Sequence, residues 1–214
     1  MSASSASGMP EPESDDLGRY LEDTITIDWQ TPTMMSTAKQ LLDGRTEPED
    51  RIRRLFEFVR DEIDHSLDVE TRVQTCRASE VLKERTGLCY AKSHLLAGFL
   101  RYAGFPTGFC YLRSRDGERP GRFVLHGFNA VYQVSTSSWI YLDARGNRAG
   151  RDGADEIETE CRFEAPWSLA YWPDTQVGES FLPFIYKRPA KRIIDLLERA
   201  PDFEAMCRNL PDSI

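Results

Sequence analysis

The sequence predicts an α+β domain in which helices come first and pack on an antiparallel sheet. Apolar residues recur at helical spacing over 48–63 and 89–103, the periodicity then changes to two between 107 and 143, and strands follow helices instead of alternating with them. At 214 residues the chain suits one domain with a sizeable core, read as residues 19–214 with its central part at 79–148.

Residues 1–18 are rich in Ser, Pro and acid and are expected to form a disordered acidic tail. Thr24, Ile25, Thr26 and Ile27 alternate as in a half-buried strand, which places a strand over 20–28. Helices are expected over 33–42, stopped by Gly44, and over 48–63, where Ile52, Leu55, Phe56, Val59 and Ile63 share a face and Pro48 suits the first turn. A short helix, 79–85, ends before Gly87. A stronger one starts at Cys89 and runs to Ala103, where Gly104 and Pro106 stop it. Strands follow at 107–113, 125–134 and 139–143, the last two joined by a short Ser/Thr turn. Residues 144–189 carry no clear pattern, and 190–199 and 202–209 read as two short helices.

With 27 basic against 35 acidic residues the net charge is −8, so a grip on nucleic acid or on an anionic membrane is not expected. No apolar run is long enough to span a bilayer, and the first residues lack the basic and apolar regions of a secretory signal, which makes a cytoplasmic protein the expectation. Cysteines at 76, 89, 110, 161 and 207 are odd in number and widely spaced, which argues against a disulfide framework and a structural zinc site. Cys76, Cys110, Cys161 and Cys207 read as small buried hydrophobes. No cofactor or metal motif is present.

Cys89 is different. A cysteine in the first turn of a helix lies beside unpaired backbone N–H groups and the positive end of the dipole, where a thiolate is favoured. His94 is about 140° away on the same helix and cannot serve this thiol. His126 opens a strand and Asp143 ends another. If the hairpin pairs residues whose numbers sum to an odd value, these two share a face a diagonal step apart, whereas a slip of one separates them. The turn chemistry does not fix the register, and Asn129 and Asn147 are the other groups able to orient the ring. Thiol, imidazole and carboxylate together suit acyl transfer, with the Cys89 N–H as oxyanion donor.

Three blocks, Thr86-Gly-Leu-Cys-Tyr-Ala-Lys-Ser-His-Leu-Leu-Ala-Gly-Phe-Leu-Arg-Tyr-Ala-Gly-Phe-Pro106, Leu125-His-Gly-Phe-Asn-Ala-Val-Tyr132 and Trp139-Ile-Tyr-Leu-Asp143, resemble in order the core of the transglutaminase-like superfamily. The resemblance implies a papain/transglutaminase-like core, a nucleophile-bearing helix packed on an antiparallel sheet, a Cys89–His126–Asp143 triad and thiol-dependent hydrolysis or transfer at peptide or protein amides. It departs from the family in carrying Phe128 where Trp is common. It also has no Gln shortly before Cys89, so the second oxyanion donor is unassigned. Tyr90, Lys92 and Arg113 are the residues expected to meet substrate, Lys92 because it lies about 60° from Cys89 on the helix. Without an EF-hand, a calcium-dependent crosslinker is disfavoured. An arylamine N-acetyltransferase-like reaction and a non-catalytic binding module on the same fold are the alternatives.

Overall fold

In the computed structural model, residues 8–69, 71–117, 119–145 and 161–214 are described. Helices α1 (Pro32–Leu41), α2 (Pro48–Glu62) and α3 (Ala78–Glu84) pack around α4 (Cys89–Tyr102), whose other side meets the sheet. That sheet is built on three antiparallel strands, β4 (Thr107–Arg115), β5 (Phe123–Gln133) and β6 (Ser138–Leu142). Its edges are β7 (Trp167–Ser168), parallel to β6, and β8 (Ser180–Phe181), antiparallel to β4. Two further pairs are parallel: β1 (Glu11–Pro12) with β9 (Phe184–Ile185), and β2 (Asp64–His65) with β3 (Thr86–Gly87). Helices α5 (Lys191–Arg199) and α6 (Phe203–Arg208) complete the order.

Every residue of α4 from Tyr90 to Arg101 is buried, because helices cover one side and sheet the other. A helix enclosed all round must spend each polar side chain on a partner. Lys92 Nζ donates to the carbonyls of Ile63 at 2.5 Å and Arg60 at 3.3 Å, which the end of α2 leaves without helical partners. His94 Nδ1 meets Cys76 O at 2.7 Å. Arg101 donates to the carbonyls of Glu22, Thr107 and Lys187, joining the far end of the helix to three separate segments. From the sheet, Asn129 Nδ2 reaches Ser93 O and Gly108 O, each at 3.1 Å.

The helices and the three long strands form where the periodicity places them. The segment 20–28 does not become a strand: a 3-10 turn covers Leu17–Tyr20, and bends follow. The expected alternation is lost, since Ile25 is exposed while Ile27, two residues on, is buried next to a buried Thr26. Its backbone is satisfied locally instead, since Thr24 Oγ1 accepts the Ile27 N–H and Ile27 O accepts the Thr24 N–H. The acidic start is also more ordered than its composition suggests. From Gly8 onward it is docked: β1 adds to β9, Tyr141 donates its hydroxyl to Pro10 O at 2.8 Å, and Glu13 pairs with Lys187. Two of its acids thus act as surface partners or strand residues in place of solvated tail. Residues 1–7 of the expected tail, residues 146–148 of the expected core and Asn147 lie outside the described residues.

Helix α4 and β5 come into close contact at Gly127. A Cβ there would stand 2.8 Å from Tyr90 Cδ1, closer than side chains tolerate. Tyr90 follows Cys89 and Gly127 follows His126, so this contact sets how near the helix start comes to the strand. Gly127→Ala should therefore destabilise the protein by about 1–3 kcal/mol, as overpacking of a filled site does. Urea unfolding checks this, and a loss of under about 0.5 kcal/mol would mean that the Tyr90 ring yields freely.

Candidate active site

Cys89 is the first residue of α4. The preceding Leu88 is extended (φ −64°, ψ 166°), so the Cys89 N–H falls among the orphan donors of the first turn. The approach to that turn is fixed by the parallel pairing of Asp64 with Thr86 and of His65 with Gly87. Across from it, His126 lies on β5, paired with Leu112 of β4. Asn129 stands opposite Leu142, and continuing that register brings Asp143 opposite Phe128, a diagonal step from His126.

His126 Nε2 and Asp143 Oδ2 are 2.7 Å apart, and the Cys89 sulfur is close enough to interact with the ring. With Nε2 given to the carboxylate, Nδ1 is the nitrogen left to face sulfur. Asp143 is buried at 1% exposure and held from three sides: His126, the Arg145 N–H at 2.9 Å and the Ala170 N–H at 3.3 Å. Burial alone would push this carboxyl up, but His126 and the two backbone donors hold it below its ordinary value. Burial likewise disfavours the His126 imidazolium. The negative charges of Asp143 and Cys89 outweigh that and lift the ring to about 10. Tyr171 meets the ring edge-on, 5.1 Å between centroids, and limits its rotation.

Cys89 and His126 open on a cleft of about 660 Å³ whose walls include Leu67, Leu112, Val124, Tyr171, Trp172 and Leu210. Arg115, Arg145 and Glu179 supply its charge. Arg145 is held by a bidentate pair with Asp68 at 2.6 and 2.8 Å. Among the described residues no group of three or more His, Cys, Asp or Glu is disposed to hold a metal ion, and no helix is long and apolar enough to cross a membrane.

Cys89, His126 and Asp143 are thus brought together, whereas the residues expected to meet substrate are not grouped there. Tyr90 lines the cleft, but it is 1% exposed and donates its hydroxyl to Leu125 O, so it chiefly ties helix to strand. Lys92 does not reach the cleft rim, since its ammonium is drawn inward to the end of α2. Arg113 is not part of the cleft wall. Its guanidinium lies 3.6 Å over the Phe123 ring and donates to Gly178 O. Asn129, the alternative orienting group, bridges helix and sheet instead.

One cleft residue escaped the sequence reading. His65 is buried, and its Nε2 accepts the Cys89 N–H at 3.1 Å. No local pattern announces it. Its place comes from pairing with residues 86–87, and the only usable signal was that the chain has 3 histidines.

A profile of the transglutaminase-like superfamily matches residues 35–144, just over half the chain. Among solved structures, a candidate cysteine protease from Cytophaga hutchinsonii is similar at 16% identity and a TM-score of 0.50, over 62% of this chain and 43% of that one. The periplasmic domain of TgpA from Pseudomonas aeruginosa is similar at 19% identity and a TM-score of 0.45, over 60% and 46%. This chain therefore spans less than half the length of either. The first likeness speaks for a shared α+β fold. No curated protein matches significantly.

The raised His126 value gives a pH prediction. A group whose folded value is lifted contributes stability that is complete below its unfolded value, near 6.5, and is lost as pH rises through the folded value, about 10. The His126 ring proton resonances should therefore show no midpoint between about pH 5 and 8, and Asp143→Asn should bring the midpoint down. A wild-type midpoint near 6.5 would contradict the ion pair.

Proposed function

The chain belongs to the transglutaminase-like superfamily, and on that premise we propose that it is a cysteine enzyme that transfers acyl groups from peptide or protein amides through a Cys89 thioester. The observation that carries the proposal is that one imidazole, His126, meets the Cys89 thiol on one side and Asp143 at 2.7 Å on the other.

In this reading His126 holds the thiol proton and the Cys89 thiolate attacks the amide carbon. A C–S bond forms as the carbonyl electron pair moves onto oxygen. When that pair returns, the C–N bond breaks and the leaving nitrogen takes the proton from His126. Water then attacks the thioester with His126 as base, releasing the acid and restoring the thiol. Hydrolysis is the simpler outcome because water needs no second binding site; an amine in its place would give a new amide. Asp143 holds the ring's orientation and stabilises its charged form. The apolar wall of Leu67, Leu112, Val124 and Trp172 suits an uncharged substrate side chain better than the acidic one that a cleft lined by Lys92 and Arg113 would have favoured.

One observation favours a binding module instead: the Cys89 N–H, the obvious oxyanion donor, is already engaged by His65. Acyl trapping decides between the two. After brief exposure to p-nitrophenyl acetate and a denaturing quench, the acetyl group should map to the Cys89 peptide and be absent from Cys89→Ala, whose melting temperature should stay near wild type. Asp143→Asn should acylate roughly 10²–10⁴-fold more slowly with the fold retained. Cys89 that alkylates with iodoacetamide yet never acylates would favour the binding module.

A further inference from the structure

His65 is set beside the nucleophile by more than proximity. Its strand β2 is tied to β3 by Asp64 N–H to Arg85 O at 2.9 Å and Ser66 N–H to Gly87 O at 3.1 Å, a ladder that ends two residues before Cys89. Lys92, three residues into the same helix, grips the carbonyl of Ile63 just before that strand. The ring is therefore held from both sides of the helix start, and it faces the same cleft as Cys89 and His126.

Its two nitrogens have different surroundings. Nε2 is 3.1 Å from the Cys89 nitrogen. Nδ1 has the Leu67 N–H at 3.4 Å and the Asp68 carboxylate at 3.9 Å, one a donor and the other an acceptor. Both neutral tautomers are thus provided for. With the proton on Nδ1 the ring faces Asp68, and Nε2 accepts from Cys89; with the proton on Nε2, Nδ1 accepts from Leu67. Burial first, then the positive charges of Arg145, Lys92 and His126, hold the imidazolium well below its ordinary range, so the ring stays neutral and keeps one lone pair to exchange between the two roles.

We propose that His65 is the second oxyanion donor of this site: its Nε2 occupies the Cys89 N–H at rest and, as the N–H tautomer, joins that group in binding the oxygen of the tetrahedral intermediate. The inference rests on the acyl-transfer reading. Two donors 3.1 Å apart can both reach one oxygen at about 2.7–3.1 Å, the range an oxyanion hole requires. The change of tautomer moves no net charge. The ring releases its Nδ1 proton to solvent on the half-exposed Asp68 side and takes one at Nε2 from solvent water in the open cleft that it lines. The oxygen's negative charge is balanced by the His126 imidazolium until the C=O bond re-forms. The occupied N–H is then the resting state of the hole and not a blocked one.

Two reactions at Cys89 test this on the full chain. Iodoacetamide alkylates sulfur by displacement at a saturated carbon and makes no oxyanion, whereas p-nitrophenyl acetate acylates through a tetrahedral oxyanion and releases p-nitrophenolate. His65→Phe should slow acylation by about 10²–10³-fold while alkylation stays within about threefold, and His65→Gln, which keeps an N–H donor, should recover at least about tenfold of the loss. Acylation that is unchanged in His65→Phe, that falls in step with alkylation, or that is not recovered in His65→Gln would overturn the assignment. A readout without substitution is ¹⁵N NMR of histidine-labelled wild type treated with N-acetyl-leucinal, which forms a hemithioacetal on Cys89. The His65 Nε2 signal should move from the unprotonated to the protonated range, and an unmoved signal would overturn the proposal. If wild type fails to acylate at all, the acyl-transfer reading falls and this inference with it. If wild type acylates and the His65 variants match it, only the inference falls.

Discussion

At Gly127 the backbone of β5 and the Tyr90 ring of α4 share a space too small for a side chain, with the absent Cβ position only 2.8 Å from the ring. The rest of the site follows from that approach. Because Tyr90 and Gly127 are each one residue past Cys89 and His126, closing this contact carries the helix start to the imidazole. The Tyr90 hydroxyl then finds Leu125 O on the other flank of His126, so strand and helix are tied on both sides of the reacting groups. Asn129 repeats the tie further along, to Ser93 O and Gly108 O.

The same burial governs the electrostatics. Removing a charge from water is costly unless it is met by partners, and each buried ionic group here is met by backbone or by an opposite charge. Lys92 and Arg101 spend their charge on carbonyls that helix and strand ends leave open. Asp143 spends its charge on two N–H groups and one ring. His65 and His126 show how environment separates two identical side chains. Burial, with the cations around it, keeps the first neutral, while anions around the second outweigh its burial and keep it charged. One ring is thereby suited to exchange a lone pair for an N–H, and the other to hold and deliver a proton.

Much of this was legible in the sequence because it depended on local periodicity. The period of 3.6 around residues 89–103 and the period of two that follows located the helix and its sheet, whereas the parity of the β5–β6 pairing, which puts His126 and Asp143 on one face, was left open by the turn and comes from the observed register. What was not legible depended on chain segments far apart. The two-residue strands β1, β7, β8 and β9 are too short to show a period, so the docking of the acidic start was hidden. Lys92 was misread because a helix angle indicates the cleft only when one face of the helix meets solvent; in α4 every direction leads inward. His65 gains its position from a pairing with residues some twenty further along the chain, which no window around it contains.

The central claim is that thiol, imidazole and carboxylate act as one unit because the packing at Gly127 and the β5–β6 register hold them together. A double-mutant cycle on Cys89 acylation measures that directly. If the claim holds, His126→Ala costs at least as much as Asp143→Asn, and the double variant loses little beyond the worse single, since groups that act as a unit are strongly non-additive. Losses that simply add, with the protein still folded, would show that Asp143 and His126 influence Cys89 independently, and the account of the site as one coupled unit would be wrong.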